Sequence, residues 1–541
     1  MWAWTRDGFL DPSVSAPRLR RAYRELVDAY ANRGDHFAEC LQDPFAVVVA
    51  DRRSGKVLAA RDPVGSRSVF FLPGSLGVSL AWSATAFVCA PANPNPEFDR
   101  GWLASYLAGL PPEPQSTAIR GVRQVAPGEL VRVESERVRT TRWHEFDEHP
   151  PLSGNASVAL KAYRASMVHS IASARGDGDV TAVEVGVDAA GVVLAATTTT
   201  DLPRWDDRIR GIAQANFDVA RDQVLDVAAT AGIPKVEVTT GWPGKGLMWG
   251  RWYELAAQAL GQPTHHAILL GIQDFEAAAQ SGFERLLRVG GPVTGGSFSP
   301  LLGPLALRRG RVDLALRAQP RGFGARFRGI RTDLRSGKGR AELEAGPLLR
   351  GETTTTYQLA DRWTELVRGS ASSTTGYSDI GREGFRRGHV ERLLAGSLIA
   401  AHLGVDVRYP MIELAVVDRL LRIPLVANSA GGVPGAALQE AFPEFLPATV
   451  DWSSRRRRGV ERAKLRHEAL ANSQARARYL LENLNPLLDE LIDSDQLRRA
   501  MRARLNAGSD HPRRSRSWIA STEFAHIEAA NRWLNLWPAI H

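Results

Sequence analysis

The feature that most constrains this chain is a change of rhythm near residue 150. Before it, short apolar runs alternate with tight polar turns. FAVVVA (45–50) and KVLAAR (56–61) flank DRRSG, SVFFL follows at 68–72, and ELVRVE and RVRTTRW are split by another polar turn. Strands spaced this closely form antiparallel hairpins. Two helices are expected among them. Tyr23, Leu26, Val27 and Tyr30 recur at helical spacing between Pro17 and Asn32, and a short helix over 100–109 places Trp102 and Tyr106 on one side. This first part is α+β, rich in strand. After the polar stretch DEHPPLSGNAS (147–157), helices and strands take turns. Helix 156–174 precedes VTAVEVGV, helix 216–232 precedes KVEVTT, and a helix near 274–283 precedes RLLRVGG. Apolar strands separated by helices predict a parallel sheet covered on both faces. Beyond about residue 390 the pattern is helical. The expected organisation is a first domain over 1–146, a linker at 147–157, and an α/β domain over 158–541 with a helical C-terminal region.

Composition narrows the function classes. A chain of 541 residues exceeds one ordinary core. No apolar run approaches the roughly 18–20 residues that cross a bilayer. The start, MWAWTRDGFLD, lacks the charged opening and apolar segment of a secretory signal. The two cysteines, Cys40 and Cys89, are too few for a disulfide framework or a CxxC metal knuckle. Cys40, at the far end of a helix, is expected to be packed rather than reactive. A cytoplasmic protein without a membrane partner is expected. The net charge of +9 is read chiefly as solvated helix faces, because no zinc-finger spacing, RNP-type motif or heptad array supports a nucleic-acid partner.

Several spaced phrases carry a family resemblance. DPFAVVVADRRSGKVLAARDPVGSRSVFF (43–71) resembles the class II glutamine amidotransferase domain of asparagine synthetases, with Phe45, Ala46, Asp51, Ala60, Arg61, Asp62 and Gly65 at matching places. FDRGWLASYLAGL (98–110), IRGVRQVAPGELVRV (119–133) and the closing TRWHEF continue it. GVDVRYPMIELAVVD (404–418) resembles the G-x-E-V-R-x-P-F-L-D segment of the synthetase domain. Within that family, the lasso-peptide macrolactam synthetases and β-lactam synthetases are similar in layout, and the Arg-rich helical tail favours the former.

The resemblance implies a fold of an N-terminal amidotransferase-like layer followed by a domain that adenylates a carboxylate with ATP and Mg²⁺. It implies a glutaminase nucleophile at an N-terminal cysteine. Residue 2 is Trp2, and DGFLD (7–11) matches a strand well inside the family's domain, so the first domain is expected to be shortened and without glutaminase activity. The phosphate loop S-G-G-x-D-S falls on Glu184, Val185, Gly186, Val187, Asp188 and Ala189. Gly186 and Asp188 survive, the latter as the one expected metal ligand. Val185 brings a branched Cβ where backbone must approach phosphate, and Ala189 deletes a hydroxyl donor. Glu184 adds an anion whose repulsion of a phosphate at about 4 Å and an effective dielectric near 20 is roughly 4 kcal/mol. The second metal loop falls on GGPVTGGSFSP (290–300), which keeps Gly295 and Gly296 but has Ser297 in place of the acid. Asp406 takes the place of the family's catalytic Glu, and Arg458, ending the run RRRR, that of its charge-stabilising Lys. GWPGKG (241–246) lacks phosphate-loop spacing and is read as a turn. His265-His266, expected at the start of a strand, have no third ligand at metal spacing.

The expected function is that of a degenerate asparagine synthetase-like protein. ATP adenylation is weak or lost, and the chain holds a peptide or small-molecule carboxylate or partners an active synthetase. The alternative is an active, diverged ligase making a lactam or isopeptide bond with Gly186, Asp188, Asp406 and Arg458, and with Glu184 recruited to a metal.

Overall fold

The structure is a computed structural model that describes the chain outside residues 11–16, 145–154, 176–179, 240–246, 291–347, 363–391, 428–435, 447–473 and 507–521 and some shorter gaps. Strands β1 (Trp2–Thr5), β2 (Gly8–Leu10), β3 (Ala46–Asp51), β4 (Lys56–Arg61), β8 (Glu129–Glu134) and β9 (Arg137–Arg142) form an antiparallel sheet in the order β2-β1-β3-β4-β8-β9. A smaller sheet sets β5 (Phe70–Gly74) between β6 (Gly77–Ala81) and β7 (Arg123–Gln124). Alternation along β3 explains the layering. Val47 and Val49 pack on Leu26 and Ala29 of helix α1 (Pro17–Arg33) and on Phe37. Ala46 and Val48 face the other way, onto Val69, Phe71 and Val125 beside the small sheet. Both faces of the strand are buried, so its run is apolar throughout.

Sequence expectation and structure part at Cys40. The helix does not run on to it: Gly34, at φ +55°, turns the chain into a 3-10 segment, Gly34–Cys40. Phe37 and Ala38 take the packed positions there, and Cys40 is exposed, as is Cys89.

The second domain is a parallel sheet ordered β12-β11-β10-β13-β14. Its strands are β10 (Thr181–Glu184), β11 (Ile209–Gln214), β12 (Val236–Thr239), β13 (Arg285–Leu287) and β14 (Asp406–Arg408). The connecting helices include α3 (Ala156–Arg175), α4 (Ala189–Thr199), α5 (Asp218–Ala231), α6 (Leu247–Leu260), α7 (His266–Leu269) and α8 (Ile272–Gln280). Two strands were not foreseen. IRGIAQ, as β11, completes the alternation, and β14 places a strand inside the region expected to be helical. The segment beginning at His266 is helical rather than extended; periodicity cannot separate a short buried helix from a strand, and Ile268 and Leu269 are buried in this one. Among the described residues, no helix is long and apolar enough to cross a membrane.

Helix α2 (Arg100–Leu107) belongs by sequence to the first domain but packs in the core of the second. Trp102, Leu103, Tyr106 and Leu107 share a cluster with Ile527, Trp533 and Leu534 of helix α9 (Thr522–Ile540). Trp102 stacks on Tyr106, and Tyr106 meets the His526 ring at 4.6 Å. Hydrogen bonds from Ser83 to the Ala259 carbonyl (3.0 Å) and from Thr85 to that of Gln258 (2.9 Å) add a second join.

A buried turn after β4 leads to the third join, the pairing of Arg67 with Asp406. Arg61 donates to the Val125 and Gly65 carbonyls, and Asp62 Oδ1 accepts from the N–H groups of Val64 (3.0 Å) and Gly65 (2.8 Å). Gly65, at φ +74°, lets the chain reverse, which a β-carbon would resist. Burial pushes the Asp62 carboxyl up to about 6, with Arg61 and the two N–H groups pulling it back, and pushes Arg61 down to about 10. A folded-state pKa above the unfolded value of 3.8 stabilises the protonated fold. That contribution is complete below about pH 4 and lost as pH rises through about 6. Urea titrations of the wild type and Asp62→Asn should therefore diverge between pH 4 and 6.5, the wild type losing on the order of 2–3 kcal/mol relative to the variant. Parallel profiles would contradict this account of the turn.

Candidate functional site

The strand order reverses direction at β10, with β11 and β12 on one side and β13 and β14 on the other. In open parallel sheets the crevice at such a switch point, above the C-terminal strand ends, is where ligands bind. The strands meeting there are β10, ending at Glu184, and β13, ending at Leu287 and followed by Arg288.

From Glu184 the chain turns through Val185, Gly186 and Val187 into α4. Asp188 is the N-cap of that helix: its carboxylate accepts from Gly191 N–H at 2.9 Å. Ala189 is the helix's first residue. The turn is very close. A β-carbon on Gly191 would fall 2.5 Å from the Gly186 Cα, so that position excludes a side chain, and one on Gly186 would be tight at 3.3 Å from the Gly191 Cα. Val185 does not crowd the mouth of the turn as its branched shape suggested. It is 2% exposed, donates its N–H to the Ile212 carbonyl, and packs against the bare face of Gly211 in β11.

Glu184 does not present a free charge. It accepts from Val289 N–H at 2.9 Å and pairs with Arg288 at 3.4 Å. Arg288 also reaches Asp274 of α8 at 3.0 Å, and Asp274 accepts from the Thr239 hydroxyl at the end of β12. The guanidinium lies over the Phe275 ring, and a β-carbon on Gly271 would sit 2.7 Å from its Nη1. Burial works against the charge of Arg288, but Glu184 and Asp274 outweigh it and raise its pKa. Tyr409, in the same surroundings, is pushed up to about 12 by burial.

These contacts decide the fit of a divalent cation. A hard cation needs several charged oxygens turned to one point. Here a guanidinium already holds the two carboxylates at the switch point, and Asp188 is engaged as a cap. Among the described residues no group of three or more His, Cys, Asp or Glu could hold a metal ion. The described residues do not fit Mg²⁺. The repulsion expected of Glu184 is cancelled within the chain, and its alternative role as a metal ligand meets the same obstacle.

Asp406 is elsewhere. It aligns with Arg285 and, one strand further, with Thr181, at the opposite end of the strands from Glu184. Alternation puts it on the other face as well. Three residues of strand and two strand spacings separate the backbone positions of the two residues by about 14 Å. Arg67 of the first domain holds it at 2.7 Å and Arg408 at 2.9 Å, with Arg285 at 3.9 Å. Burial would raise its pKa, but Arg67 and Arg408 hold it at about 2. At neutral pH such a carboxylate is a poor base. It forms an ionic link between the domains, as does Arg100 with Glu490 at 2.7 Å.

The sequence-predicted residues Glu184, Val185, Gly186, Asp188 and Ala189 thus share one strand–turn–helix, and Asp406 stands apart. Gly295, Gly296, Ser297, Arg458, His265 and the GWPGKG stretch lie outside the described residues. Sequence reasoning missed Arg288, Asp274, Arg67 and Gly191. Only Gly191 left a signal, as a glycine where a helix was expected to begin.

Two protein families match the chain: the glutamine amidotransferase domain over residues 24–144 and asparagine synthase, an ATP-dependent family, over 308–535. Strands β10 to β13 lie between the matched segments. No curated protein matches.

Helix propensity alone would make Gly191→Ala stabilising by about 1 kcal/mol. The contact with Gly186 instead predicts a loss of about 1–3 kcal/mol in chemical unfolding. For the domain link, Arg67→Ala and Asp406→Ala should each cost about 2–4 kcal/mol, and a double-mutant cycle should return a coupling of about 1–3 kcal/mol. Additive losses would mean the pair holds nothing.

Proposed function

The chain belongs to the asparagine synthetase-like family of ATP-dependent amidotransferases and ligases, and from that premise we propose that this member is a pseudoenzyme. Its glutaminase chemistry and its carboxylate adenylation are lost. It works in the cytoplasm, in a natural-product pathway akin to those of lasso-peptide or β-lactam synthetases, holding a peptide or small-molecule carboxylate or partnering an active synthetase. One observation carries the proposal: Arg288 joins Glu184 and Asp274 across the ends of β10, β13 and α8, where the family would seat magnesium and pyrophosphate. Opening that site to metal would strip a largely buried guanidinium of both partners. Breaking a buried ion pair from one side costs about 3–5 kcal/mol.

A second reading, a diverged amide ligase, has one observation in its favour. The Gly186–Gly191 contact keeps the turn compact and sets the N-terminus of α4 above the strand end, as an anion-binding turn would need. Against it, Asp188 already occupies the Gly191 N–H.

Calorimetry with MgATP separates the two. The wild type is expected to give no binding heat up to millimolar nucleotide. The combined substitutions Glu184→Ser, Val185→Gly, Ala189→Ser and Ser297→Asp, with Arg288→Ser to free Asp274, should restore measurable binding. Pyrophosphate release from MgATP by the wild type, abolished by Asp188→Ala, would establish the ligase instead.

A further inference from the structure

The six-stranded sheet of the first domain ends on β9, and among the described residues no further strand pairs with its outer side. Natural sheets keep such edges from pairing by making them short, by a proline or a bulge, or by charge. β9 has none of the first three. It pairs with β8 over six consecutive positions without a break, and its sequence, RVRTTR, holds no proline. The other strands that end a sheet run from two to five residues. Charge alone guards this edge, and it has one sign.

Arg137, Arg139, Thr140, Thr141 and Arg142 are all exposed. Alternation puts Arg137 and Arg139 on one face, with Arg139 directly across from Arg132 of β8 and Arg137 across from Glu134. The acids on that face are already taken: Arg132 pairs with Glu134 at 2.5 Å and with Asp35 at 2.6 Å. Among the described residues, neither Arg137 nor Arg139 forms an ion pair. Like charges directly opposite one another destabilise a sheet. An acidic residue on a strand beyond β9 would relieve the opposition of Arg132 and Arg139 from the outer side.

We propose that β9 is a docking edge for an extended acidic peptide, which adds to the sheet as a further strand. Alternate acidic residues of the peptide lie against Arg137 and Arg139. Main-chain hydrogen bonds supply affinity, and the two arginines select the sequence. A second copy of β9 does not suit the edge, because it brings three arginines and no acid. A nucleic acid needs a run of positive charge for its phosphates, and Glu129, Glu134 and Asp35 interrupt the run here. The edge belongs to the first domain, so the inference is independent of whether the switch point binds ATP.

The test titrates the full chain against fluorescent peptides of alternating valine and glutamate. Valine–glutamine and valine–lysine peptides of equal length and a single-stranded DNA serve as comparisons. The glutamate peptide should bind about tenfold or more tighter than the glutamine peptide, and the combined Arg137→Glu and Arg139→Glu substitutions should reverse that order in favour of lysine. N-methylation of every other peptide nitrogen removes main-chain donors and leaves the charge. One of the two alternate sets should abolish binding and the other should not, which separates strand addition from attraction between charges. No binding of the glutamate peptide, binding unchanged by the charge reversal, equal binding of both N-methylated sets, or tighter binding of the DNA would each overturn the proposal. Should the double variant fail to fold, the N-methylated peptides on the wild type decide.

Discussion

A guanidinium buried among carboxylates satisfies them as a metal ion would, but it gives up no coordination site. Such a pairing sits at the centre of this protein. Arg288, the first residue beyond β13, reaches Glu184 at the end of β10 and Asp274 in α8, lies over Phe275, and fills the space left by the bare Cα of Gly271. The strand order makes β10 and β13 the two strands that border the switch-point crevice. The interaction that closes the sheet therefore occupies the place where an open parallel sheet receives its ligand.

The join between domains has the same character. The phrase that most resembles an amidotransferase, AARDPVGSR, builds a buried turn in which Arg61 and Asp62 hold each other's backbone surroundings and Gly65 reverses the chain. The turn delivers Arg67 to Asp406 across the seam. Helix α2 makes the apolar counterpart, burying Trp102 and Tyr106 against α9. Residues that resemble a family's functional phrases are thus accounted for here by what they hold together. Asp406 pairs with Arg67 and Arg408 at the other end of the strands from Glu184.

Much of the fold was legible because it depends on local pattern. The hairpin β3–β4 follows from FAVVVA, DRRSG and KVLAAR, and the parallel sheet follows from strands alternating with helices. Strand β11 was less legible because IRGIAQ is short and interrupted by Gly211, a glycine that only the packing of Val185 and Val236 explains. Strand β14 is three residues within a helical stretch and exists because β13 offers it an edge. At the site, the substitutions at Glu184, Val185 and Ala189 could be read directly. Their consequences could not. Whether Glu184 repels an anion or is neutralised depends on Arg288, 104 residues away, and no sequence pattern pairs them. Likewise, the core that receives α2 is set by a helix at the far end of the chain.

The most direct measurement is the structure of crystals soaked with Mn²⁺ and a non-hydrolysable ATP analogue, read by the anomalous signal of the metal. No manganese is expected between Glu184 and Asp274, with the Arg288 guanidinium still bridging them. A manganese ion coordinated by both carboxylates, with Arg288 displaced and phosphates resting on the turn before α4, would contradict it.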